Sequence, residues 1–199
     1  VSTKEKILES ARFLYNKYGI DNITTRDIAK DIAISAGNLH YHFKHTEDIL
    51  IQLFHAFEKE FDTLMATLQN QHHFSLDSLN QFIVDSVVLV HKYKFVPLNF
   101  QSLSQKNQKI RSAYIDINKR RKVEFLEIFL QLVQKKIFRK DIPEKQFLYL
   151  VRQIFIVGDF WIAYNEASFR KEGKEAVREH CKMLKSLFYP YLTTPQTLF

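Results

Sequence analysis

Residues 34 to 50 read ISAGNLHYHFKHTEDIL and place His40, His42 and His45 within six positions. Imidazoles so close together have three chemical uses: ligating a metal, moving a proton, or touching a polyanion. A metal site fits poorly. His42 and His45 stand three apart and can form an edge, but His40 and His42 fall on different faces of a helix. A structural zinc site takes four ligands, and the next histidine pair, His72 and His73, reaches this one only if the chain folds back. Cys181 is the sole cysteine, which removes Cys-based zinc clusters and any internal disulfide. No metal and no cofactor are expected. Catalysis fits no better: the chain has no Gly-rich phosphate loop, nucleophile elbow, HExxH helix or paired-carboxylate motif. A helical enzyme using His and carboxylates is therefore the rival these residues do not support. Polyanion contact by His40 and His42 remains, with His45 a solvated turn residue.

The elements that must position these side chains are short. Upstream, Ile7, Leu8, Ala11, Leu14, Tyr15 and Tyr18 recur at helical steps, and Gly19 supplies a stop. Thr24 and Asp27 have capping-box spacing at the start of a helix running to about Ile32. A tight break at Ala33 and Ile34 leads to Ser35, a good N-cap for a second short helix ending near Phe43. Thr46 then opens a third, with Glu47 and Asp48 at the positive end of its dipole. Two short helices across a tight break, preceded by a supporting helix, outline a helix-turn-helix, whose second helix enters the major groove. Ile28, Ala29, Ile32, Ile34, Leu39 and Phe43 bury these helices together. Ala36, Gly37, Asn38, His40 and Tyr41 are left outside. Small residues at 36 and 37 allow close approach to base edges, Asn38 can pair bidentately with adenine, and His40 suits a base edge or phosphate.

The stretch TTRDIAKDIAISAGNLHYHFKHTEDIL, residues 24 to 50, resembles the N-terminal signature of the TetR family of bacterial transcriptional regulators. That signature commonly runs TxxxIAxxxGVSxGTLYxHFxxKExL, and the spacing matches without a gap. The resemblance implies phosphate contacts from Thr25, Tyr41, His42 and Lys44, with Arg26, Asn38 and His40 as base readers. Ser35 and Ala36 complete the expected DNA-binding set. Three positions depart from the family: Ala33 stands for a usual Gly, His40 for a frequent Tyr, and Thr46 for a frequent Lys. A left-handed Ala33 would cost on the order of 1 kcal/mol.

Beyond this head the helices lengthen, with expected spans from Thr46 to near His72, Ser75 to Lys94, a short one opened by Pro97, Gln108 to Phe138, Pro143 to Ala167, and Lys171 to Phe188. Only 4 Gly and 4 Pro, against 46% apolar residues with 18 Phe and 9 Tyr, agree with long packed helices. The expected fold is all-α: an N-terminal three-helix helix-turn-helix head, residues 1–46, on a larger C-terminal helical body for ligand binding and dimerisation, residues 47–199. The most apolar stretch, 147 to 164, carries Arg152 and Asp159, so it is read as a buried helix rather than a membrane span. No signal peptide is evident. These features favour a soluble, cytoplasmic protein with no membrane partner.

The resemblance implies a homodimer through the last two long helices, with Gly158 allowing close approach, and an effector cavity walled by the middle helices. Candidate lining residues are Phe95, Phe100, Tyr114, Phe125, Phe129, Phe155, Asp159, Trp161 and Tyr164; each aromatic can equally be core. Such walls suit a small apolar or amphipathic effector. Asp159 is the most informative of them, with Arg152 a possible partner. The formal net charge is +7 with pI near 9.3, yet residues 1–48 hold seven cations and seven carboxylates. The surplus sits further on, notably in 105–122, which reads as a solvated helix face; auxiliary DNA backbone contact and attraction of an anionic ligand such as an acyl thioester of coenzyme A are its other uses. The expected function is a ligand-responsive repressor acting as a homodimer on a palindromic double-stranded DNA operator. The alternative is a helical small-molecule-binding protein whose head no longer reads DNA specifically.

Overall fold

Ser2 opens the first helix by accepting the Glu5 backbone N–H at 3.2 Å, while the Glu5 carboxylate accepts the Ser2 N–H at 2.7 Å. This reciprocal box satisfies two of the donors that a helix start leaves unpaired. The computed structural model describes residues 1–69 and 75–194. Helices α1 (Thr3–Tyr18), α2 (Thr25–Asp31), α3 (Ala36–His42), α4 (Thr46–Gln69), α5 (Leu76–Lys92), α6 (Phe95–Lys106), α7 (Gln108–Gln134), α8 (Glu144–Ser168) and α9 (Gly173–Phe188) follow in order. Among the described residues no strand forms, and one isolated antiparallel bridge joins Phe138 to Leu192. The all-α expectation is met.

Several helix ends differ from the sequence reading; α6, for one, starts at Phe95 rather than at Pro97. Helix α7 stops at Gln134 rather than near Phe138, because the chain turns through a left-handed Lys136 (φ 58°) and commits Phe138 to the bridge with Leu192. Helix α9 starts at Gly173 rather than Lys171. The Asn165 side chain holds Lys171 outside it, donating to its carbonyl at 2.9 Å and accepting its N–H at 3.2 Å. The expected end of the fourth helix near His72 lies outside the described residues.

The chain divides into two compact units, Val1–Lys59 with Tyr93–Ser112, and Glu60–Lys92 with Ala113–Phe199. In the first, α1 buries Ile7, Ala11, Leu14 and Tyr15, and the two short helices bury Ile28, Ala29 and Leu39, with Phe43 just beyond. Each such apolar side chain larger than Ala contributes roughly 1.5–3 kcal/mol. Ser10 donates to the Asp31 carboxylate at 2.6 Å, tying α1 to α2. Helix α6 belongs to this unit: the Phe95 N–H donates to Asn16 at 3.0 Å, and the Phe95 ring meets Tyr15 at 5.5 Å.

The second unit is organised around phenylalanines. Phe129 of α7 is fully buried and meets Phe138, Phe147 and Phe188 with ring centroids 5.7, 5.8 and 6.2 Å away. Leu79, Phe82, Ile83 and Val87 of α5 and Leu150 and Val151 of α8 extend the same core. Helix α8 is long and apolar enough, by length and composition alone, to cross a membrane, which the sequence reading had not allowed. Its Phe147, Leu150, Val151, Trp161, Ile162 and Asn165 are buried within this unit.

Between α2 and α3, Ala33 adopts φ 54°. The left-handed region puts an alanine Cβ against the backbone, a strain that glycine escapes. Ala33→Gly should therefore stabilise the chain by about 0.5 kcal/mol, the relieved strain being partly offset by glycine's greater unfolded-state entropy. Thermal unfolding checks this; a lower melting temperature in the variant would contradict it.

Candidate nucleic-acid interface

Local hydrogen bonds build the turn and aim the second short helix. Thr24 Oγ1 accepts the Asp27 N–H at 3.3 Å, and the Asp27 carboxylate accepts the Thr24 N–H at 2.8 Å. The Thr24 hydroxyl also donates to that carboxylate at 2.6 Å, and this bond, followed by the Thr24 N–H, holds the Asp27 carboxyl below its ordinary range. The Ile34 N–H donates to the Ala29 carbonyl at 3.0 Å, closing the break. Ser35 Oγ then accepts the Asn38 N–H at 3.1 Å and caps α3.

At about 100° per residue, Gly37 and Tyr41 fall opposite the buried Leu39 on α3, flanked by His40 and Asn38. Ser35, Ala36, Gly37, Asn38 and His40 are exposed, and Tyr41 is 86% exposed. His42 is half-buried and meets the Tyr41 ring edge-on at 5.3 Å. Thr25 is half-buried at the first position of α2, while Arg26 and Lys44 are exposed. Neither Arg26 nor Lys44 forms an ion pair among the described residues. One cation near this face escaped the sequence reading: the Lys4 ammonium lies 5.6 Å from the centre of the Phe43 ring. Its signal was a single lysine in a helix that looked purely supporting.

The proposed effector residues do not all come together. Phe100 lies half-buried on α6 in the first unit, as does the fully buried Phe95. In the second unit Phe125 is buried, stacked on Phe129 at 6.1 Å and edge-on to Phe155 at 6.2 Å. Phe129 sits at the centre of the core. Trp161 is buried and stacks on His180 at 4.7 Å, with His91 6.0 Å away. Burial and the neighbouring His91 hold His180 neutral, its pKa pulled down to about 3. This histidine pair joins residues 89 apart and left no local trace in the sequence. Tyr164 is exposed and meets Phe169 edge-on at 5.5 Å.

Asp159 pairs not with Arg152 but with Tyr114, whose hydroxyl donates to its carboxylate. Arg152 instead lies exposed, its guanidinium 5.9 Å from the Tyr149 ring. Burial pushes the Asp159 carboxyl up to about 6, and the Tyr114 hydroxyl is raised as well, by burial and by Asp159. The stretch 105–122 is not uniformly a solvated face either. Arg121 is buried, donates to Asp62 and to Glu124, and lies 4.9 Å from the centre of the Phe61 ring.

The sequence profile of the tetR family of bacterial regulatory proteins matches residues 7–53, and that of the TetR bacterial transcriptional repressors matches residues 56–197. This chain belongs to the TetR family. It is 30% identical over 98 residues to the HTH-type transcriptional regulator SAB2452 of Staphylococcus aureus, covering 46% of this chain and 53% of that protein. It is 31% identical over 84 residues to the biofilm operon icaADBC negative transcriptional regulator IcaR of the same species, covering 42% and 45%. The chain thus spans about half the length of these curated relatives. Its fold matches a solved TetR-family regulator from Marinobacter aquaeolei VT8 at a TM-score of 0.89, with 25% identity over 100% of this chain and 96% of that one. The profile match over residues 7–53 covers α2, α3 and the turn between them.

The raised Asp159 pKa makes a stability prediction for this TetR-family chain. The folded state holds the proton more tightly than the unfolded one, so the contribution is full below the ordinary value of 3.8 and is lost as pH rises through about 6. Asp159→Asn keeps an acceptor for Tyr114 and removes the charge. At pH 8 the variant should melt above the wild type by on the order of 5 °C, and at pH 4 the gain should largely vanish. An equal difference at both pH values would show that the carboxyl is not desolvated.

Proposed function

We propose that this TetR-family regulator is a cytoplasmic homodimeric repressor that binds a palindromic operator and is released or retained by a small effector. The observation that carries the reading is the exposed face of α3, with Tyr41 opposite Leu39 and uncompensated Arg26 and Lys44 nearby. An exposed aromatic hydroxyl and exposed cations that form no ion pair among the described residues are suited to phosphate, and Asn38 and His40 on the face of α3 to base edges. Thr25, Ser35, Ala36 and His42 complete the proposed contact set, with the Ser35 side chain already occupied in capping. Repression draws support from IcaR, whose name describes a negative regulator.

The dimer reading rests on a stripe of α8. Tyr149, Ile156, Phe160 and Tyr164 are exposed and lie on one side of the helix, with Met183 exposed on α9. A Cβ added at Gly158 would meet nothing within 4 Å in the single chain. A second copy is the occupant, since a two-fold operator needs two heads at half-sites roughly 34–36 Å apart. An effector acts by preferring one head spacing over the other, and shifts DNA affinity only by that preference. The alternative, a ligand-binding protein without specific DNA recognition, has no observation that favours it here.

Selection of bound duplexes from a random library, at two salt concentrations, tests the reading. A recovered palindrome with salt-sensitive affinity supports it; binding without sequence preference overturns it. Tyr41→Ala should weaken operator binding roughly tenfold or more, the worth of a hydrogen bond to a charged group, with unchanged melting temperature because the side chain packs on little. Phe160→Arg should sediment as a monomer and lose operator affinity; a dimer of undiminished stability would place the interface elsewhere.

A further inference from the structure

The second unit holds a short polar chain between α7 and α8, its three residues half-buried, that ends in acceptors. Asn118 stands one turn beyond Tyr114 on α7, close enough for its amide to favour the ionised tyrosine. The Tyr114 hydroxyl in turn donates to the Asp159 carboxylate on α8. Asn118 also carries a carbonyl Oδ1. That oxygen is buried and has no hydrogen-bond partner among the described residues. Asp159 forms no ion pair among the described residues, and its carboxyl is held out of water.

Two deficits thus stand at the two ends of one chain: an acceptor without a donor and a desolvated carboxylate without a cation. Native interiors rarely leave either, and Tyr114 cannot cure both because its single proton is already given to Asp159. Phe155 lies one turn before Asp159 on α8 and meets Phe125 of α7 edge-on. The missing group is cationic, carries N–H donors, and is attached to something apolar.

We propose that Tyr114, Asn118 and Asp159 form a binding site for a protonated amine with an apolar tail. Its N–H groups donate to the Asp159 carboxylate and to Asn118 Oδ1, and its tail covers Phe125 and Phe155. The inference rests on the ligand-responsive reading above and names the chemical class of the effector. A quaternary ammonium supplies the charge without a donor for Asn118, an alcohol supplies a donor without the charge, and a carboxylate meets repulsion from Asp159.

Calorimetric titration of the full chain, without DNA, with 4-phenylbutylamine, its N-trimethylated ion, 4-phenylbutanol and 4-phenylbutyrate separates these cases. The amine should bind at least tenfold tighter than the alcohol and more tightly than the quaternary ion, and the carboxylate should bind weakest. Asp159→Asn should bring the amine down to the level of the alcohol. Asn118→Ala should narrow the preference for the amine over the quaternary ion while keeping both above the alcohol, a pattern that general unfolding cannot produce. Equal or tighter binding of the alcohol or carboxylate, no binding of any of the four, or unchanged amine affinity in Asp159→Asn overturns the proposal. Operator affinity measured in parallel separates the two readings. DNA binding without amine binding sinks this inference alone, whereas amine binding without DNA binding sinks only the regulatory one.

Discussion

A helix of seven residues closes too few hydrogen bonds to stand alone in water, and the head of this chain is built from two of them. Everything on the DNA-reading side depends on the apolar floor that holds them. Ile28, Ala29, Leu39 and Phe43 are buried in the same unit as the Ile7, Ala11, Leu14 and Tyr15 stripe of α1. Because that burial and the caps at Thr24 and Ser35 hold the inner side in place, the outer side of α3 is not required for stability. Its residues are left to recognition. The floor is not made by the first fifty residues alone: Phe95 of α6, far along the chain, packs on Tyr15 and donates its N–H to Asn16. A helix that sequence order would give to the body is structurally part of the head's support.

That division explains what the sequence made legible. The head was readable because its determinants are local: a capping box three residues long, a one-residue left-handed turn at Ala33, an N-cap at Ser35, and a wheel that places Tyr41 opposite Leu39. The body was readable as helices but not as a site. Whether a phenylalanine is core or lining depends on partners many turns away, so Phe129 at the centre of the core and Phe155 beside Asp159 look alike in one dimension. Arg152, two helical turns before Asp159 on the same side of α8, was one partner the sequence left open. The actual partner, Tyr114, is 45 residues distant. Arg121 sits in a run of cations that looks solvated, yet Asp62 on another helix draws it inside.

The body also separates two kinds of aromatic surface. Phe129, Phe138 and Phe147 close on one another and leave no face for a ligand or a partner. Ile156 and Phe160 on the outside of α8 are exposed although they belong to the most apolar helix of the chain. Such a helix is apolar on more sides than its own unit covers, which is the condition of an interface helix rather than a core helix. Apolarity that would carry a segment into a membrane is here split between an inner face that is buried and an outer one that is not.

The zero formal charge of residues 1–48 looks at odds with a polyanionic partner, but a count treats every carboxylate as though it faced the partner. Four of the seven are engaged in local structure: Glu5 with Ser2, Asp27 with Thr24, Asp31 with Ser10, and Asp48 with the His45 N–H. Three of these occupy helix starts, where the N-terminal dipole already offsets part of their charge. Arg26, Lys44 and Lys4 have no carboxylate partner among the described residues, so their field reaches outward undiminished. The acids organise the scaffold while the cations remain available at its surface. With so few cations, phosphate attraction supplies a smaller share of the affinity than in a strongly basic reader. A larger share then falls on contacts that depend on which bases lie beneath α3.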